Sequence, residues 1–196
     1  MRAMTERRRA KIEKVLSQRQ KGLTLVMDNI WDPHNVSAIY RSCDAFGVPE
    51  VHLYYTRCAF PQLSRKTSAS AFKWVGTVRH AGREELSACL RGQGMQILAT
   101  SCSPASRPLT EWDLTRPTAV IMGNEHAGVS EELLPIADGE VYIPMYGMVQ
   151  SFNVSVASAL ILSEASRQRA LAGMYLRRQW TDEEYDRRLS AWLDKA

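Results

Sequence analysis

Apolar residues change from helical spacing to alternation and back along this chain, and each change marks an element. In residues 5–20, Ile12, Val15 and Leu16 recur at helical spacing among charges, which predicts an amphipathic helix whose narrow apolar stripe must dock on something. Residues 23–30, "LTLVMDNI", form a short β-rich run that stops at "WDPHN", where Pro33 and Asn35 signal a loop. A helix over 35–46 follows, with Gly47 as its stop, and "VPEVHLYY" is a second strand. Beyond a Ser/Thr-rich loop and a short helix over 64–72, the pattern predicts a strand near 74–78 and a helix over 83–91. Residues 95–100, 118–123 and 140–145 read as three more strands, with a helix near 130–136 between the last two. A long helix over 151–171 and a last one over 181–193 complete the chain. Strands alternating with helices indicate an α/β domain around a largely parallel sheet, and no internal repeat interrupts it.

Ligands of open α/β sheets sit outside the carboxyl ends of the strands. Here three predicted strands end in "LATSCS", "IMGNEHAG" and "IPMYGMVQSFN", all rich in glycine, serine, asparagine and other small residues. Glycine allows close backbone approach to a ligand, and asparagine and serine offer hydrogen bonds. A pocket built from these three loops is therefore expected.

Charge refines the picture. The chain of 196 residues carries a net +4, but unevenly. Residues 1–21 hold eight Lys or Arg against two Glu, residues 22–163 ten against thirteen acids, and residues 164–196 seven against six. Such a basic end is either a solvated helix face or a contact for a polyanion, which clustered cations bind by releasing its counterions. No apolar run approaches the roughly 20 residues that span a bilayer, and the start "MRAMTERRRAKIEK" lacks the apolar centre of a secretion signal, so a cytoplasmic protein without a membrane segment is expected. Cys43, Cys58, Cys89 and Cys102 have no paired spacing, which indicates neither a disulfide framework nor a zinc site; no metal is expected.

Common catalytic motifs are absent. "GQGMQI" lacks the third glycine of a dinucleotide fingerprint and precedes a strand instead of following one. There is no G-x-x-x-x-G-K-[ST] loop, no H-E-x-x-H and no G-x-S-x-G elbow. Taken singly, the polar residues of the loops are unremarkable. Asn35 on its own reads more readily as a helix N-cap than as a catalytic residue, and Arg41 lies roughly two turns further on at an angle that need not share its direction. Glu125 and His126 are polar loop residues by default, and Ser151 and Asn153 could simply open the long helix.

Together they resemble a family. Asn35 with Arg41, then "MGNEHAGVS", then "IPMYGMVQSFNVSVASAL" are similar to the three motifs of the SPOUT-class RNA ribose 2'-O-methyltransferases. The likeness extends through "LTLVMDNIWDPHNVSAIYRSCDAFGV" and "EASRQRALAGMY", and is greatest to the members that methylate the D-loop guanosine at tRNA position 18. One departure is Phe152, where members usually carry leucine, which slightly reshapes the expected adenine pocket. The resemblance implies an α/β fold with a C-terminal deep trefoil knot flanked by N- and C-terminal helices. It divides the chain into a basic helix (1–21), a SPOUT domain (22–172) and a helical extension (173–196). Gly123, Gly128 and Gly147 would then lie where backbones approach closely, and Ser155, Ala157, Ser158 and Ala159 would let the long helix pack tightly against the knot or a second subunit. The implied cofactor is S-adenosyl-L-methionine (AdoMet), bound around Thr100, Gly123, Ile143 and Phe152. Asn35, Arg41, Glu125, Ser151 and Asn153 would face the ribose and phosphate of a tRNA, in a homodimer whose site draws on both chains. Arg167, Arg169, Arg177 and Arg178 would join the N-terminal helix in gripping the RNA. Two other classes share these motifs: a SPOUT enzyme for rRNA or another tRNA nucleotide, and a catalytically silent RNA-binding protein.

Overall fold

The structure, a computed structural model, describes residues 4–62 and 71–195. Seven strands form one sheet: β1 (Leu23–Asp28), β2 (Glu50–Tyr54), β3 (Gly76–His80), β4 (Gln96–Thr100), β5 (Arg107–Pro108), β6 (Thr118–Met122) and β7 (Gly139–Tyr142), in the order β3-β2-β1-β6-β4-β7-β5. Every pairing is parallel, with Val26 of β1 opposite His52 of β2 on one side and Ile121 of β6 on the other. The expected parallel α/β architecture is present. Five α-helices accompany it: α1 (Glu6–Ser17), α2 (Pro33–Ala45), α3 (Arg83–Gly92), α4 (Val154–Leu171) and α5 (Asp182–Lys195).

Both sheet faces are covered, which is why β1 and β6 are buried along their whole length. Leu25, Met27, Leu53, Val120 and Met122 pack with Val36 and Ile39 of α2 and Ile161 and Leu162 of α4. On the other face Val26, Tyr54, Ile97 and Ile121 meet Leu86 and Leu90 of α3 and Leu133. The N-terminal stripe docks on the other end of the chain: Ile12 and Leu16 cluster with Trp192 of α5, flanked by Val15, Tyr185 and Leu189.

Several boundaries differ from the pattern, each for a local reason. Helix α2 starts at Pro33, capped by Asp32, whose side chain accepts from His34 N at 2.8 Å. Proline there needs no hydrogen-bond donor, so the "WDPHN" loop is in fact a helix start, and Asn35 is inside the helix instead of capping it. Strand β3 begins only at Gly76, because Trp74 and Val75 close a 3-10 turn with N–H bonds to Ala71 O. Of the short helix expected over 64–72, residues 64–70 lie outside the described residues, and Ala71–Lys73 are that turn. Residues 131–136 form a 3-10 helix, in keeping with Pro135, which cannot donate to an α-helical ladder. The two-residue strand β5 carries no alternation to detect; its Pro108 is tolerated at the sheet edge.

Two arginines expected at the surface are buried. Arg169 is 0% exposed and donates to the carbonyls of Leu114 (2.9 Å), Gly22 (2.7 Å) and Arg116 (3.0 Å). Burial lowers its pKa to about 10, so it remains charged at neutral pH while stapling α4 to the start of β1 and the approach to β6. Arg19, also fully buried, pairs with Asp44 and donates to the carbonyls of Asp44 and Val48. Neither can grip an RNA. Arg169→Met should cost about 3 kcal/mol or more in urea denaturation, because it strands buried carbonyls that the guanidinium satisfied. Arg167→Met, which loses only a surface pair with Glu164, should stay within about 0.5 kcal/mol.

Candidate active site

The carboxyl end of β1 anchors the loops around it. Asp28 is buried, and its carboxylate accepts from Ser130 N (2.6 Å), Ser130 Oγ (2.9 Å) and Asn29 Nδ2 (2.8 Å). Burial raises its pKa, opposed by those three bonds. Asn29 adopts φ 49°, a left-handed conformation that asparagine tolerates, and turns its side-chain oxygen to the N–H groups of Thr56 and Arg57. Its carbonyl accepts from Asn124 Nδ2 at 2.7 Å, which ties β1 to the loop after β6. Sequence reasoning missed this pair. The available signal was two adjacent polar residues ending an otherwise apolar strand.

After β6 the backbone doubles back on itself. Asn124 and Gly128 exchange N–H···O bonds of 2.9 and 3.0 Å, and Asn124 Oδ1 accepts from His126 N and Ala127 N. A Cβ on Gly123 would lie 2.2 Å from Gly128 C and 2.3 Å from Val129 N, so only glycine fits. Gly128 itself holds φ +70°. Gly147 has neither constraint: its Cβ would meet open space, so the close approach expected there is absent.

This hairpin places Glu125 against α2. Asn35 Nδ2 donates to Glu125 Oε1 at 2.9 Å, and Asn35 Oδ1 accepts from Asn153 Nδ2 at 3.0 Å. Asn153 Oδ1 in turn caps α4, accepting from Ser155 N at 2.8 Å, which is why the helix begins at Val154 and leaves Ser151 outside it. One polar chain thus joins Glu125, Asn35, Asn153 and the N-terminus of α4.

Beside that chain lies a cavity of about 490 Å³, within the usual range for small-molecule and cofactor sites. The ends of β4, β6 and β7 and the first turns of α4 form its walls, as the three loops led us to expect. Thr100, Gly123, Ile143 and Phe152 line it, as do Glu125, Ser151 and Asn153. Asn35 stands one hydrogen bond behind the wall. Arg41 is not brought to it: it is exposed on α2 and makes no hydrogen bond or ion pair with the described residues. His126, also in the wall, faces Trp31 with ring centroids 6.1 Å apart.

Chemically, the cavity positions ligands. Glu125 is the one carboxylate among its lining residues, and Glu125 Oε2 is buried without a hydrogen-bond partner, so a ligand with a cationic centre would be favoured. Among the described residues, no hydroxyl or thiol of the wall is hydrogen-bonded to a histidine.

Comparison with known proteins places this geometry. The family model described as the SpoU rRNA Methylase family matches residues 22–163. The chain is 47% identical over 195 residues to a tRNA (guanosine(18)-2'-O)-methyltransferase of Thermus thermophilus, covering 100% of both chains. A crystal structure of the A. aeolicus TrmH/SpoU tRNA modifying enzyme superposes with a TM-score of 0.90 at 39% identity, over 97% of this chain and 96% of that one. The SpoU methyltransferase AviRb from Streptomyces viridochromogenes, solved in complex with the cofactor AdoMet, gives a TM-score of 0.70 at 26% identity, over 80% of this chain and 64% of that one.

The two glycines of the cavity loops should separate sharply. Gly123→Ala should lower stability by more than about 3 kcal/mol or prevent folding, because the added methyl meets backbone that cannot give way. Gly147→Ala should leave the thermal midpoint within about 2 °C, since nothing lies within 4 Å of its Cβ position.

Proposed function

The chain belongs to the SpoU rRNA methylase family, and from that premise we propose that it transfers a methyl group from AdoMet to a ribose 2'-hydroxyl of tRNA, at guanosine 18 in the D-loop. The observation that carries this reading is the joining of Asn35, Glu125 and Asn153 at the wall of a cofactor-sized cavity. These residues come from three distant segments of a chain that matches a tRNA methylase from end to end.

The residues present fit AdoMet. The cavity volume suits it, and the unpartnered Glu125 oxygen offers a counter-charge to its cationic groups. AdoMet supplies an electrophilic methyl carbon on a sulfonium. The loops around Thr100, Gly123, Ile143 and Phe152 hold that cofactor, and the larger Phe152 in place of the family's usual leucine reshapes the adenine side. Asn35 fixes Glu125 and Asn153, and with Ser151 these orient the ribose so that oxygen, carbon and sulfur are collinear. Holding reactants in this way can supply several kcal/mol of the barrier. Arg41 carries hydrogen-bond donors and no acceptor, so it is poorly suited to take the proton of the 2'-hydroxyl. It would therefore clamp the phosphate next to the target ribose and orient the 2'-hydroxyl, whose proton leaves late in the transfer or passes to that phosphate.

Arg41 reaches a cavity through a second copy of the chain. Tyr146 and Met148 are 98% and 99% exposed beside the cavity, and Val156 and Leu160 lie bare on α4. An apolar surface of this kind next to a site suits a homodimer. The reading also includes a deep trefoil knot in the C-terminal part, which rests on membership of the family. The domain divisions at 21/22 and 172/173 stand with it, although the two end segments pack on each other. With a tRNA substrate and no described helix long and apolar enough to cross a membrane, the place of action is the cytoplasm.

The terminal grip on RNA is narrower than the charge count implied. Arg19 is buried, Arg9 pairs with Glu13 and Lys21 with Glu184, which leaves Arg7, Arg8, Lys11 and Lys14 exposed on α1. At the other end Arg169 is buried, Arg167 pairs with Glu164 and Arg178 with Asp182; Arg177 is exposed.

Mapping the methylated nucleotide by mass spectrometry of a tRNA transcript incubated with the protein and AdoMet tests the proposal. A 2'-O-methyl at guanosine 18 is expected, and a methyl elsewhere, or none, would overturn it. Arg41→Ala should slow transfer by about 100-fold or more while AdoMet affinity stays within a few-fold, measured by single-turnover kinetics and calorimetry. Replacing Arg7, Arg8, Lys11 and Lys14 together by Gln should weaken tRNA binding and flatten log K against log salt by about 2 to 4 units. Unlike deletion of the helix, this leaves Ile12 and Leu16 packed on Trp192.

A further inference from the structure

The face of the sheet covered by α3 holds a group of side chains that the methyl-transfer reading does not use. His52 of β2 and His80 of β3 lie there with their rings nearly parallel, at 18°, and with centroids 5.1 Å apart. His52 Nδ1 and His80 Nε2 share a hydrogen bond of 2.8 Å. Cys89 approaches from α3, so that one nitrogen of each ring and the sulfur all lie within 4.8 Å of one another. Glu85, one helical turn before Cys89, places Oε1 at 3.8 Å from His80 Nδ1. Spacing along the chain hid this cluster, because its members come from three elements.

The histidines are left incomplete by the protein alone. Two neutral imidazoles carry two N–H groups and two lone pairs, and the bond between the rings uses one of each. His52 Nε2 and His80 Nδ1 are both buried without a hydrogen-bond partner. The two nitrogens that face each other, His52 Nδ1 and His80 Nε2, are the pair an ion between the rings would take, with His80 Nδ1–H then turned towards Glu85 as an outer support. We propose that His52, His80 and Cys89 form a site for a zinc-class divalent cation, with water as the fourth ligand and Glu85 supporting His80 from its other nitrogen.

The donor set favours that class: nitrogen and sulfur ligands select zinc over magnesium or calcium, which take oxygen. Two nitrogens at about 2.0–2.1 Å from one tetrahedral ion stand about 3.3 Å apart. The rings must therefore part by about half an ångström from their present 2.8 Å, a shift within reach of small ring rotations. Cys89 is half-buried and Glu85 exposed, which gives the ion an entry from solvent. Once bound, the ion would cross-link β2, the edge strand β3 and α3. Residues Gly76 to Arg79 of that edge strand are otherwise largely exposed. None of His52, His80, Cys89 and Glu85 lines the cavity, so this is a structural clip separate from the methyl-transfer site.

The test uses the full-length protein, reduced, stripped of metal with a chelator and titrated with Co²⁺. One equivalent should bind with the visible absorption of a tetrahedral ion and a near-ultraviolet sulfur-to-cobalt band. One equivalent of Zn²⁺ should displace it and raise the thermal midpoint. Cys89→Ser should fold, lose the sulfur-to-cobalt band and weaken binding by more than the roughly 10- to 100-fold lost when only a supporting residue is removed. His80→Gln should weaken it likewise. Absence of a tetrahedral spectrum in the folded wild-type protein would overturn the proposal. So would a spectrum unchanged by Cys89→Ser, which would move the metal to another thiol.

Discussion

Two hydrogen bonds made by one amide hold the candidate site together. Asn35 donates to Glu125 and accepts from Asn153, so a residue on α2 links the hairpin after β6 to the cap of α4. An amide is suited to this place because it offers a donor and an acceptor on one rigid group. An aspartate there would set a second carboxylate against Glu125, and an alanine would leave both neighbours without their partner. The cavity wall is therefore only as well defined as this bridge. Its supports are tightly built: Gly123 admits the hairpin backbone, and Asp28 and Asn29 fasten the same hairpin to the end of β1.

The distribution of charge follows from what each cation is asked to do. Arg19 and Arg169 are internal fasteners that satisfy carbonyls where chain segments converge. Paired residues such as Arg9, Lys21, Arg167 and Arg178 shape the surface of the terminal helices. Arg41 stands apart, exposed on α2 and without a hydrogen bond or ion pair to the described residues.

Strand and helix positions were legible because burial on two sheet faces produces apolar runs, and helices packed on one side produce stripes. The three polar loops were legible because ligand sites in such sheets lie beyond strand ends. Asn35 was visible as a residue of interest, but its place inside α2 was not, since Asp32 and Pro33 can announce a turn or a helix start with equal ease. Charge counting misjudged Arg19 and Arg169, because composition does not distinguish a solvated guanidinium from one bound to carbonyls. The Asp28 and Asn29 anchor, and the meeting of His52, His80 and Cys89, depend on contacts between strands, loops and a helix that are separated in sequence. No local pattern encodes those.

If the polar chain acts as one unit, its members cannot contribute independently to the chemistry. The most direct measurement is a double-mutant cycle on the single-turnover rate of tRNA methylation, using Asn35→Ala, Glu125→Ala and the pair together. The account predicts that the double variant is about as slow as the slower single one, as expected for residues that share an interaction. Rate losses that multiply to within about twofold would show that Asn35 and Glu125 act separately, and would contradict it.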